Sequence, residues 1–162
     1  MSLTSIVGKA FLPRQKSLEH HFTDAEALQQ RVLAYLINRG KNTEYGRKHL
    51  FATMKDYTDF AANIPVNTYE ELKDDIDRMR HGEADVLWPG TVKWYAKSSG
   101  TTNDKSKFIP VSHEGLQNIH YQGGKDVVAL YLANNPKSRL FDGRSLILGG
   151  SHSPNYNVSG SL

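Results

Sequence analysis

The loop from Ser98 to Lys107 is the part of the sequence whose residue types are best suited to chemistry. It reads Ser-Ser-Gly-Thr-Thr-Asn-Asp-Lys-Ser-Lys, so hydroxyl side chains surround a glycine and two lysines follow. Glycine lets the backbone approach an anion, N–H groups and hydroxyls donate hydrogen bonds to it, and a lysine ammonium supplies positive charge. The pattern predicts a phosphate-binding loop. The alternative is a polar hairpin loop, because the same residue types dominate ordinary turns.

This loop does not match the best-known phosphate-binding motifs. The Gly-x-x-x-x-Gly-Lys-Ser/Thr pattern does not occur, and no dinucleotide-binding glycine pattern is present. A hydrolase is not indicated either, because the Ser151-His152-Ser153 segment lacks a Gly-x-Ser-x-Gly nucleophile elbow.

The histidine and aspartate groups of the sequence favour structural roles over metal binding. His113 and His120 lie seven residues apart, whereas a zinc-binding helix places its histidines four apart. Asp74, Asp75 and Asp77 share a predicted amphipathic helix with apolar residues, which indicates a solvated face. We therefore predict no metal site built from these residues.

Composition restricts the class of protein. The 162 residues fit one domain, contain no cysteine and carry a net charge of +3. No apolar run approaches the ~18–20 residues of a membrane span and no secretory signal is evident, so a cytoplasmic protein without a membrane partner is expected. Basic residues are dispersed, and the aromatic pair Trp94-Tyr95 fits a half-buried strand, so no nucleic-acid partner is predicted.

The elements before the loop are predicted to be helices, since apolar residues recur at spacings of three and four. Pro65 also requires an extended conformation at Ile64. The predicted helices are residues 3–11, closed by Pro13; residues 25–36, begun by a Thr23–Glu26 capping box; residues 54–60; and residues 69–79, begun by a Thr68–Glu71 capping box and ended at Gly82.

The second half of the chain reads as strands around one helix. Residues 91–96 and 107–111 are predicted strands on either side of the loop, with Pro110 near a strand end or sheet edge. Ser112 begins a helix to about Leu132 that Gly123-Gly124 weakens, and residues 145–148 form a third strand. The fold class is therefore α/β, with α+β as the alternative: one domain with a mainly helical part, 1–83, and a part from 84 to 162 whose strands belong to a mixed sheet.

The order of residues in the loop resembles the first nucleotide motif of the adenylate-forming enzymes. Ser-Ser-Gly-Thr-Thr is followed, five residues on, by Lys107 and then by Phe-Ile-Pro. The general adenylating pattern has its lysine one residue earlier, where this chain has Ser106. The loop is therefore most similar to that of the GH3 family of acyl acid amido synthetases.

The resemblance extends over most of the chain. Two of the matching segments, 121–126 and 149–152, look like the bacterial branch of the family. The segments that resemble GH3 sequences are residues 42–46, 64–66, 69–73, 82–83, 87–90, 121–126 and 149–152.

The resemblance implies a two-step ligase that uses ATP and Mg²⁺. A carboxylic acid is activated as an acyl-adenylate with release of pyrophosphate, and an amine, usually an amino acid, then takes the acyl group as an amide. Lys107 and Thr101 would take the catalytic roles, and His152 would line the acyl pocket or belong to a turn. The implied nucleotide-binding residues are Ser98, Ser99, Gly100, Thr101, Thr102, Lys105 and Lys107.

Two further nucleotide motifs of the family, Tyr-x-x-Thr-Glu and Tyr-x-x-Gly-Asp, do not occur in the chain. We therefore expect the chain to correspond to the N-terminal part of a longer synthetase and to be inactive by itself. The alternatives are a stand-alone phosphate- or nucleotide-binding module and a truncated product without activity.

Overall fold

A computed structural model describes residues 2–98 and 106–146. The α-helices are α1 (Leu3–Thr23), α2 (Ala25–Gly40), α3 (Glu44–Lys48), α4 (Tyr57–Asn63), α5 (Tyr69–Arg80), α6 (His113–Gly115) and α7 (Gln122–Asn134). A 3₁₀ turn covers Phe51–Thr53, a π-helical stretch covers Leu116–Tyr121, and the strands are β1 (Trp94–Lys97) and β2 (Phe108–Val111). No helix of the described ranges is long and apolar enough to cross a membrane.

The described residues form two compact units, one made of residues 2–25 and 114–146 and the other of residues 26–98 and 106–113. In the first unit, α1 packs against α7, which buries Ala129 and Leu132. The Arg14 guanidinium on α1 pairs with the Asp126 carboxylate on α7, with N–O distances of 2.5 and 2.8 Å. This contact holds the two helices in a defined register.

The prediction that Pro13 ends the first helix is wrong, because α1 continues to Thr23. A proline removes one backbone donor, a loss that the packing of α1 on α7 and the ion pair of Arg14 outweigh. The predicted Thr23–Glu26 capping box is therefore wrong as well. Thr23 is the last residue of α1, and its hydroxyl donates to the His20 carbonyl at 3.2 Å.

The middle of the chain follows the sequence prediction more closely. The helix predicted at residues 54–60 lies three residues later, because the Asp56 carboxylate caps it by accepting from the Asp59 N–H at 3.0 Å. Ile64 is extended, with φ −103° and ψ 115°. At the start of α5, the Thr68 N–H and hydroxyl both donate to Glu71, at 2.6 and 2.8 Å, which confirms that helix start.

The second unit has its core between α5 and β1. Met79, Val86 and Val92 are buried there, and Leu87, Trp88 and Tyr95 pack around them. Tyr95 is half-buried, whereas Trp94, Ala96 and Lys97 are exposed, so the predicted burial of this strand is confirmed only at Tyr95.

The two strands pair antiparallel, with Trp94 opposite Val111 and Lys97 opposite Phe108. The Ser98 N–H donates to the Lys107 carbonyl at 2.9 Å, and hydrogen-bonded and non-hydrogen-bonded pairs alternate along an antiparallel ladder. The backbone nitrogens of Phe108 and Pro110 consequently face away from β1. Pro110 has no N–H to leave unpaired there, so its predicted position near a strand edge is confirmed.

The predicted fold class, helices followed by strands, is confirmed, and the antiparallel pair gives the described part an α+β character. The helix after Ser112 is continuous through Gly123-Gly124, and its irregular part is the π-helical stretch just before them. Of the third strand predicted at residues 145–148, Ser145 and Leu146 do not lie in a strand, and residues 147 and 148 lie outside the described residues.

Candidate functional site

The predicted phosphate loop leaves the sheet at Ser98 and returns at Lys107. The Ser98 N–H donates to the Lys107 carbonyl at 2.9 Å, and the Lys107 N–H donates to the Ser98 hydroxyl oxygen at 3.0 Å. The strands therefore hold the two ends of the loop next to each other. The other predicted binding residues, Ser99, Gly100, Thr101, Thr102 and Lys105, lie outside the described residues.

Lys107 is half-buried at this closing point, and its ammonium lies over the ring of Tyr69, with Nζ 5.4 Å from the ring centroid. Within the described part of the chain, no carboxylate pairs with this ammonium. A lysine ammonium offers the positive charge and the N–H donors that a phosphate requires.

Helix α5 supports the strand that follows Lys107. The Tyr69 hydroxyl oxygen, at the first residue of α5, accepts from the Phe108 N–H at 3.1 Å. Arg80, at the last residue of α5, places its guanidinium 3.8 Å from the centroid of the Phe108 ring. Residues from both ends of α5 therefore contact the first residue of β2.

Sequence reasoning missed Tyr69 and Arg80 as supports of the loop. Their partners lie 39 and 28 positions away in the sequence, and helix periodicity carries no signal for such a distant contact. Arg80 is itself oriented by Asp77, whose carboxylate accepts from the guanidinium at 2.8 Å.

Tyr95, on β1, has a buried hydroxyl. Burial raises the pKa of that hydroxyl above its usual range, and the positive charge of Arg80 offsets part of the rise. The Tyr95 hydroxyl and the Arg80 Nε have no hydrogen-bond partner within residues 2–98 and 106–146.

The aspartate and histidine residues for which the sequence favours structural roles make the following contacts where the structure describes them. Asp75 and Asp77 pair with Arg78 and Arg80 on the face of α5, and His113 lies beside Trp94 with ring centroids 6.3 Å apart. No group of three or more histidine or acidic side chains suited to a metal ion occurs among the described residues. His152 lies outside them.

Comparison with known proteins decides the family. The family model described as the GH3 family N-terminal domain matches residues 14–161. The chain belongs to the GH3 family. Its relatives include indole-3-acetic acid-amido synthetase GH3.2 of Arabidopsis thaliana, 28% identical over 127 residues, which are 76% of this chain and 23% of that protein. Indole-3-acetic acid-amido synthetase GH3.15 of the same plant is 35% identical over 101 residues, 62% of this chain and 17% of that protein.

The fold agrees with this family. The solved structure of AtGH3.15 acyl acid amido synthetase in complex with 2,4-DB matches 74% of this chain with a TM-score of 0.66 and 30% identity. A further GH3 relative from Arabidopsis thaliana is 4-substituted benzoates-glutamate ligase GH3.12, 29% identical over 108 residues, 66% of this chain and 19% of that protein. The GH3 chain thus spans about a fifth of the length of the relatives it matches.

Proposed function

We propose that this GH3 chain supplies the phosphate-binding loop of an acyl acid amido synthetase, which joins a carboxylic acid to the amine of an amino acid through an acyl-adenylate. The observation that carries the proposal is the Lys107 ammonium, which lies over the Tyr69 ring, pairs with no carboxylate of the described residues, and stands where the hairpin closes the Ser-Ser-Gly-Thr-Thr loop. The relatives support the reaction class, because they are named as amido synthetases and ligases of small carboxylic acids.

The proposed chemistry follows from charge movement during the first step. A carboxylate oxygen attacks the α-phosphate of ATP, the bond to the β-phosphate oxygen breaks, and pyrophosphate leaves. Lys107 would offset the charge that builds up on the leaving pyrophosphate, and the hydroxyls of Ser98, Ser99, Thr101 and Thr102 would donate to phosphate oxygens. Lys105 is the second cation of the loop.

Magnesium, which the family resemblance implies, stays a prediction; no group of three or more acidic or histidine side chains suited to a metal ion occurs among the described residues. We derive no step through the metal. The cytoplasmic location, the bacterial branch and the lack of activity in the isolated chain remain predictions.

The test is acid-dependent exchange of labelled pyrophosphate into ATP by the natural full-length protein that contains this chain. We expect Lys107→Ala and Thr101→Ala to slow exchange by roughly 10²-fold, the scale of losing one transition-state donor. Lys48→Ala, which removes an exposed lysine on α3, is the matched control and should exchange at the parental rate.

Two results would contradict the proposal. Parental exchange rates in both loop variants would show that the loop does not act on the pyrophosphate. If pyrophosphate bound at Lys107 but none of a panel of aryl and alkyl acids supported exchange, a binding module would be favoured over an enzyme.

A further inference from the structure

Two consecutive residues at the end of the loop converge on one tyrosine. Tyr69 is half-buried at the start of α5; its hydroxyl oxygen accepts from the Phe108 N–H at 3.1 Å, and its ring lies 5.4 Å from the Lys107 Nζ. The side chain therefore contacts both the backbone that follows the loop and the cation that ends it.

The hydroxyl contact follows from the register of the hairpin. Lys97 and Phe108 face each other as a non-hydrogen-bonded pair, so the Phe108 N–H faces away from β1. An outward N–H on a strand normally needs a neighbouring strand or water. Here the Tyr69 hydroxyl, on helix α5, accepts the hydrogen bond of the Phe108 N–H. This hydrogen bond anchors the first residue of β2.

The contact between the Tyr69 ring and the Lys107 ammonium is compatible with anion binding by that lysine. An aromatic face attracts the ammonium through its quadrupole. Unlike a carboxylate, it neither neutralises the charge nor accepts strong hydrogen bonds from the three N–H groups. The contact can therefore restrict the rotamers of Lys107 before a phosphate arrives, which lowers the entropy lost on binding.

We propose that Tyr69 is a positioning residue for Lys107: its hydroxyl anchors the start of β2, and its ring orients the Lys107 ammonium just before that strand. This inference builds on the proposed function, because it assigns Lys107 the task of contacting pyrophosphate.

The test measures lysine acylation by acetic anhydride, residue by residue by mass spectrometry, on the full-length protein with and without pyrophosphate. In Tyr69→Leu the labelling rate of Lys107, relative to Lys48 in the same sample, should rise about two- to fivefold, the scale of one exposed cation–π contact. The pyrophosphate concentration that gives half-protection of Lys107 should rise about three- to tenfold.

Two further variants separate the roles of the ring and the hydroxyl. Tyr69→Phe keeps the ring, so Lys107 should label at the parental rate while the Phe108 amide exchanges hydrogen faster. Tyr57→Leu removes a tyrosine that is 70% exposed on α4 and should change neither readout. If Tyr69→Leu does not fold, Tyr69→Met fills similar volume without an aromatic face.

The outcomes distinguish this inference from the proposed function. An unchanged Lys107 labelling rate in Tyr69→Leu, with pyrophosphate still protecting the parental protein, would overturn the role of Tyr69 alone. Failure of pyrophosphate to protect Lys107 in the parental protein would overturn both proposals.

Discussion

Replacing Gly46 with alanine should strongly destabilise the second unit. A Cβ at this position would lie 2.1 Å from the Gly40 carbonyl oxygen, 2.8 Å from its carbon and 3.1 Å from the Lys41 Cα. All three atoms are backbone, so no side chain can rotate away. The Gly46 N–H also donates to the Thr43 hydroxyl oxygen at 2.9 Å, and that hydroxyl donates to the same Gly40 carbonyl at 2.7 Å.

The size of the effect follows from these contacts. Overpacking a tight site costs typically ~1–3 kcal/mol, and loss of a helix-capping hydrogen bond adds ~1 kcal/mol. We therefore expect Gly46→Ala to lower the free energy of unfolding by about 2–4 kcal/mol, a large share of the ~5–15 kcal/mol of a typical domain. With a urea m-value of about 2 kcal/mol/M, the unfolding midpoint should fall by about 1–2 M.

The assay is urea unfolding followed by the fluorescence of Trp88 and Trp94, which lie in the same unit as Gly46, and by circular dichroism. The matched control is Gly123→Ala on α7, where an added Cβ meets no atom within 4 Å. There the same substitution should raise the free energy of unfolding by ~0.5–1 kcal/mol through helix propensity. A midpoint for Gly46→Ala at or above that of the parental protein would refute the reasoning.

Three further substitutions test polar side chains and their hydrogen bonds. Arg14 lowers the pKa of the Asp126 carboxyl, so the stability from this pair is complete above the ordinary carboxyl pKa of ~3.8 and is lost as pH falls through the lowered value. Asp126→Asn should therefore have a lower melting temperature than the parental protein at pH 7. The difference between the two melting temperatures should become smaller towards pH 2.5, and an equal difference at both pH values would contradict this. Tyr95→Phe removes a buried hydroxyl without a partner in the described residues and should raise the free energy of unfolding by up to ~1 kcal/mol. The Tyr45 hydroxyl oxygen accepts from the Asn67 side chain at 2.9 Å, so Tyr45→Phe should lower the free energy of unfolding by a similar amount. If denaturant unfolding showed that both tyrosine variants are stabilised, or that both are destabilised, the contrast between the two hydroxyls would be wrong.

Local features could be predicted because neighbouring residues determine them. The start of α5 depends on Thr68 and Glu71, three positions apart, and Pro65 restricts the backbone of the residue before it. The two strands on either side of the loop were recognisable from runs of β-branched and aromatic residues. The family resemblance also came from a short contiguous motif.

Errors in the prediction occurred where distant residues outweigh a local signal. Pro13 indicates a helix end when read alone, yet α1 continues through it to Thr23 and packs on α7, more than 100 residues later. Thr23 indicates a helix start when read alone, yet it is the last residue of α1. The segment 42–46 was noted only for its likeness to the family. The structure supplies a physical reason for its glycine, since the backbone of Gly40 and Lys41 leaves no space for a side chain at Gly46.

The sequence by itself therefore predicted most of the helices, the two strands on either side of the loop, and a loop whose residue types suit a phosphate. These depend on residue chemistry and on contacts within a few positions. Tertiary structure alone decided that Tyr69 and Arg80 contact the first residue of β2 and that the Lys107 ammonium lies over the Tyr69 ring. Those contacts join residues 28 to 39 positions apart, and the packing of α5 against the hairpin brings them together.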